Sequence, residues 1–136
     1  MRAHLLLLAK TPVPGRVKTR LCPPHTPEEA AAIAAAALAD TLDAVSGTPA
    51  AAGHTLVVEG DHPAPRGWGR VAQRGEGLPD RLANAFLDTR LLGVPALLVG
   101  MDTPQVSAEL LTGAMKELTG TDADAVRGLA TDGGWW

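Results

Sequence analysis

Three apolar runs of strand length, at residues 3–9, 54–59 and 95–100, each stop at a polar turn containing Gly or Pro, with helix-length segments between them. Strands alternating with helices predict right-handed crossovers and a mostly parallel sheet covered by helices. The run LLLLA at 5–9 is far shorter than the roughly 20 residues a membrane-crossing helix needs. It also ends too abruptly for a secretory signal, so it reads as a buried strand and no transmembrane segment is expected. The chain has 136 residues, enough for one domain with a core of its own. With 46% apolar and 20% charged residues, a disordered polymer is excluded. A net charge of -3 gives no reason to expect a nucleic-acid or anionic-membrane binder. One cysteine, Cys22, makes no internal disulfide and no Cys-rich zinc knot, which makes the reducing cytoplasm the expected compartment.

The turns between the runs are specific. Six prolines and glycines between Pro12 and Pro27 exclude a helix through that stretch. Thr26-Pro27-Glu28-Glu29 then has N-cap, first-turn proline and capping-box character. Ile33, Ala37, Leu38, Leu42 and Val45 form the apolar face of the helix it starts, and Gly47 stops it. A Pro/Gly-rich excursion covers 60–69, followed by a short strand near 70–73. Leu78, Leu82, Phe86 and Leu91 line a second helix ending near Gly93. Ser107 caps a third helix with Leu111, Ala114, Met115 and Leu118 inward, and 124–127 form a weaker strand. In such folds ligands sit outside the carboxyl ends of the strands. The segments 10–20, 101–104 and 131–134 are expected to converge there.

Lys10, Arg16, Lys18 and Arg20 fall within eleven residues, and no acid precedes Glu28. Gly15 permits a close turn. On an extended backbone Arg16, Lys18 and Arg20 would share one side, where paired Arg donors and Lys point charges suit a diphosphate. An exposed solubilising loop explains the same charges. The Walker A register fails, because only Gly15 precedes Lys18 and no GK pair exists. No G-x-G-x-x-G follows the first strand, so a nicotinamide-cofactor site is not expected. Asp102, two residues past LLVG, either caps the turn or binds Mg²⁺ through oxygen. The glycines of Asp132-Gly133-Gly134 allow a sugar, base or phosphate to approach the backbone, and equally suit a tight turn. His4 reads as structural or surface, and His25, His54 and His62 share no ligand spacing.

In order, LLLLAKTPVPGRVKTRL, QRGEGLPDRLANAF, LLVGMDTPQV and ADAVRGLATDGGWW resemble a bacterial glycosyltransferase-like family of the nucleotide-diphospho-sugar transferase superfamily, the glycosyltransferase A fold. The resemblance implies an α/β, Rossmann-like three-layer sandwich with a mostly parallel sheet. It also implies that 1–136 form the amino-terminal, nucleotide-binding part of such a domain, lacking its C-terminal part. Lys10, Gly15, Arg16, Lys18 and Arg20 resemble the nucleotide and phosphate loop, and Gln73, Gly75 and Arg81 a middle active-site block in which Leu78-Pro79 replaces an expected Leu-Gly. Gly100, Asp102 and Pro104 match a Gly-Ser/Thr-Asp-x-Pro pattern, with Met101 in place of the small hydroxyl residue. Asp102 resembles the family's metal- or diphosphate-associated aspartate, which makes it the expected catalytic residue and metal ligand. Asp132, Gly133 and Gly134 resemble a later donor or acceptor block, with Trp135-Trp136 in place of its aromatic pair.

The function so implied is transfer of a sugar from a nucleotide-sugar donor, assisted by Mg²⁺ or Mn²⁺. Nucleotidyl transfer from a nucleoside triphosphate is the alternative, as is a nucleotide-binding fragment without complete catalytic machinery. Trp135 and Trp136 suggest self-association, or a partner that completes the C-terminal part.

Overall fold

Strand β1 (His4–Lys10) runs through the interior of a four-stranded sheet. The computed structural model describes residues 3–48, 52–90, 94–101 and 107–120. On one side β1 pairs with β2 (Gly53–Glu59), which in turn pairs with β3 (Gly69–Ala72); on the other it pairs with β4 (Ala96–Gly100). Every pairing is parallel. The register sets Lys10 against Glu59, so β1 and β2 end level, and Leu8 against Gly100, so β4 ends two residues short of Lys10.

Alternation along β1 divides the core. Leu5, Leu7 and Ala9 join Leu56, Val58, Leu97 and Val99 in one cluster, closed by Leu38 and Val45 of helix α1 (Pro27–Ser46) and Leu111 of helix α3 (Ala108–Gly120). His4, Leu6 and Leu8 project to the opposite face. There Thr89, at the end of helix α2 (Leu78–Asp88), lies against His4. This is the helix-covered parallel sheet that the alternating pattern predicts, in the three-layer form that the resemblance implies, and it explains why β1 is apolar from Leu5 to Ala9. Each fully buried leucine in it contributes about 2 kcal/mol relative to exposure.

Helix α1 begins as its sequence dictates. Thr26 Oγ1 accepts from Glu29 N (3.1 Å) and Glu29 Oε1 accepts from Thr26 N (3.0 Å), the reciprocal capping box. These hydrogen bonds hold the Glu29 carboxyl below its ordinary range. The buried face matches the expected one at Leu38 and Val45 and departs from it at Ile33. Ala30, Ala34, Leu38, Thr41 and Val45 are buried, whereas Ile33 is 39% exposed. Ala31 and Ala34 pack on Val17 and Met101 at the sheet end, Leu38 and Val45 meet the sheet's core, and Thr41 donates to Ala37 O (2.8 Å), so its hydroxyl is satisfied inside.

Helix α2 departs further. Leu78 and Phe86, expected inward, are exposed, and Ala85 is the buried residue of the helix. A proline in the first turn and a polar Asp80, Arg81, Asn84 series leave a small contact face, and the helix stops at Thr89 rather than near Gly93. Thr89 Oγ1 donates to Ala85 O (2.7 Å), and Arg74 clamps Asp88 with two hydrogen bonds of 3.0 and 2.8 Å. The 60–68 excursion is fastened by Trp68, which stacks on His54 and donates to Ser46 Oγ (3.1 Å). Ser107 Oγ accepts from Leu110 N (3.1 Å), the expected start of α3. The side chains of Met115 and Leu118, the strand proposed at 124–127 and the Trp135-Trp136 pair lie outside what is described, as do Leu91 and Gly93.

Candidate nucleotide site at the strand ends

The strand order reverses at β1, with β2 and β3 to one side and β4 to the other. The carboxyl end of such a reversal opens a crevice in which ligands bind. A cleft of about 390 Å³ lies here, lined by Lys10, Glu59, Gln73, Arg81 and Met101 among others. Lys10 ends β1, Glu59 ends β2, Gln73 follows β3 and Met101 follows β4.

Gln73 and Arg81, eight residues apart, meet in the cleft, and Gln73 acts inward. Its Nε2 donates to Ala9 O and, at 3.4 Å, to Val57 O, while its Oε1 accepts from Arg81 Nη1 at 3.1 Å. Gln73 is therefore a strut between the sheet and Arg81. The Arg81 guanidinium is held twice more, by Gly75 O (3.1 Å from Nε) and by Glu59 Oε2 (3.2 Å from Nη1). Gly75 has φ +118, and a Cβ there would collide with Asp80, so the tight turn that presents this carbonyl requires glycine. With three of its contacts fixed, Arg81 presents a preorganised donor fork.

Glu59 was not singled out by sequence. It also lies 3.9 Å from Lys10 Nζ, so one carboxylate faces two cations. Its role comes from the parallel register, which sets the last residue of β2 beside the last residue of β1.

The basic loop is anchored but not extended. Turn residues 14–16, with Gly15 at φ +82 in open space, lead to Val17, which is buried against Ala31, Ala34 and Met101. Lys18 adopts φ 48, in the left-handed region, and Thr19–Leu21 form one 3-10 turn. The backbone thus breaks the alternation that would set Arg16, Lys18 and Arg20 on one side. Arg16 and Arg20 are exposed and Lys18 is half-buried. The loop root is held at Thr11, whose N–H donates to Glu59 O (2.8 Å) and whose Oγ1 accepts from His62 N (3.0 Å).

Met101 ties this loop to β4. Its sulfur accepts from the Lys10 backbone N–H at 3.2 Å, and its side chain joins the Val17 cluster. A thioether thereby fills the place where a hydroxyl residue was expected. Asp102, Pro104, Asp132, Gly133 and Gly134 lie outside the described residues. Among the described residues no group of three or more His, Cys, Asp or Glu is placed to hold a metal ion. Glu59, the last residue of β2, is already engaged by cations. These residues alone do not fit a metal.

The parallel sheet, its flanking helices and the crevice at the reversal define a Rossmann-like α/β domain of glycosyltransferase A topology. The chain belongs to the family described as "Uncharacterized protein conserved in bacteria (DUF2064)", which matches residues 29–136. No curated protein matches it. A crystal structure of a candidate nucleotide-diphospho-sugar transferase from Desulfovibrio desulfuricans G20 superposes with a TM-score of 0.83 at 28% identity. That likeness covers 100% of this chain, including the basic loop, and the chain spans 62% of that protein. Among the described residues no helix is long and apolar enough to cross a membrane.

Proposed function

We propose that this chain is the nucleotide-binding part of a metal-assisted nucleotide-sugar transferase acting in the cytoplasm. The observation that carries the reading is the packing of Val17, inside the basic loop, against Met101, the residue before Asp102. It supports a single recess shared by the loop and the acidic turn. The name of the Desulfovibrio protein supports the substrate class.

In this reading Arg16, Lys18 and Arg20 hold the donor diphosphate, with Lys10 at the root of the loop beside Glu59 and Gly15 letting the loop backbone close on the ligand. Arg81 and the strut Gln73 contact or position the rest of the donor, and Asp132-Gly133-Gly134 serve donor or acceptor. An acceptor hydroxyl forms a bond to the anomeric carbon as the bond to the diphosphate oxygen breaks. The cations then stabilise the charge gathering on the departing nucleoside diphosphate. A Mg²⁺ or Mn²⁺ ion held by Asp102 and phosphate oxygens would neutralise more of that charge.

Product analysis tests the reaction. Release of nucleoside diphosphate with a transferred sugar supports it. Pyrophosphate release with nucleotide conjugation would assign nucleotidyl transfer instead, and nucleotide binding without turnover would assign a binding fragment.

A further inference from the structure

The cleft is charge-balanced where the loop beside it is not. Lys10 and Arg81 face Glu59 and Glu76 across the cleft, whereas residues 11–20 carry Arg16, Lys18 and Arg20 and no carboxylate. Glu59 is central to that balance, because its carboxylate lies 3.2 Å from Arg81 Nη1 and 3.9 Å from Lys10 Nζ. A half-exposed ion pair of this kind adds little stability. Its consequence is for a ligand: an anion entering here must displace Glu59 from its cations and then sit beside a released carboxylate. An uncharged group with N–H or O–H donors instead finds an acceptor already fixed in place.

We propose that Glu59 is a specificity residue, a built-in counter-ion that makes the strand-end cleft take an uncharged, donor-bearing head group and turn away bare phosphate. The inference rests on the nucleotide-binding reading above and extends it. The anionic part of a ligand is left to the basic loop. The cleft prefers a nucleoside diphosphate to pyrophosphate because one end of the ligand is neutral.

The test is calorimetric titration of the folded chain with uridine and guanosine diphosphates and with pyrophosphate, comparing wild type, Glu59→Gln and Asp61→Asn. Asp61 is exposed two residues further on, and its variant removes the same charge. Glu59→Gln is expected to tighten pyrophosphate about fivefold and to shrink the preference for nucleoside diphosphate by at least that factor. Asp61→Asn should do neither. Loss of structure cannot tighten an anion, so the direction of change separates selection from folding. If Glu59→Gln fails to fold, Glu59→Asp, which draws the carboxylate back from Arg81, should move the preference the same way by less. A wild type that binds these ligands while the ratio stays fixed in the Glu59 variant, or moves as far in Asp61→Asn, overturns the inference alone. Folded wild type that binds neither class overturns the nucleotide reading and the inference with it.

Discussion

The backbone N–H of Lys10 donates to the Met101 sulfur across 3.2 Å, joining the last residue of β1 to the first residue past β4. Because Met101 also packs on Val17, Ala31 and Ala34, one side chain holds the sheet end, the basic loop and helix α1 together. Met101→Ala should therefore cost about 1–2 kcal/mol of stability, below the usual range for a fully buried methionine because Met101 is half-buried. Urea denaturation would measure it. A second consequence is weaker nucleotide affinity under conditions in which the variant remains folded.

Lys18 and Arg20 sit on a loop rooted by Val17 but leave little of the core. Lys18→Ala or Arg20→Ala should lower nucleoside diphosphate affinity by about tenfold, the scale of a charge-assisted contact, with little change in the unfolding midpoint. Titration at two salt concentrations checks this, since binding through these cations must weaken as salt rises.

Arg81 is positioned through its planar fork. Arg81→Lys keeps the charge and loses the paired contacts to Gln73, Gly75 and Glu59. It should impair binding nearly as much as Arg81→Ala. Gln73→Ala should act through Arg81, weakening affinity several-fold, at the scale of about 1 kcal/mol for one hydrogen bond. A double-mutant cycle of the two residues, read by calorimetry, should show non-additivity.

His4 makes stability depend on pH. Burial lowers its pKa from the ordinary 6.5, with the Thr89 backbone opposing and His54 adding to the effect. The residue is 7% exposed and its Nε2 is 2.8 Å from Thr55 Oγ1. Since the folded-state pKa lies below the unfolded one, the unfolded chain binds more protons between the two. Stability is thus flat above 6.5 for this group and falls as pH drops below it. Denaturation midpoints should decline in that window for wild type, and that part of the decline should vanish in His4→Gln.

Gly60, at φ +102, turns the chain out of β2 directly against Thr11, and an added Cβ would overlap the Thr11 side chain. Gly60→Ala should destabilise by about 1–3 kcal/mol. It should also disturb the Thr11 contact to His62, visible as a chemical-shift change at the His62 amide.

The strands, the α1 capping box and the start of α3 were legible because each rests on local chemistry: apolar runs, Thr26 with Glu29, and Ser107. The inner faces of the helices were less so. Ile33, Leu78 and Phe86 look like core residues by hydrophobicity, yet the small Ala30, Ala34 and Ala85 are the ones buried. The basic loop was visible as charge, but its path was not. Burial of Val17 and the left-handed Lys18 are tertiary outcomes that alternation of charges does not encode. Gln73 and Arg81 were recognised by resemblance. Glu59 was missed because an isolated acid ending a strand gains meaning only when the parallel register sets it beside Lys10.

The most direct measurement is a crystal structure of the chain with a nucleoside diphosphate and Mn²⁺. The account predicts the diphosphate against Lys18 and Arg20, Mn²⁺ between it and Asp102, and the uncharged end of the ligand beside Glu59 and Arg81. A nucleotide bound with its phosphates away from the basic loop, or with Asp102 on another surface, would contradict it.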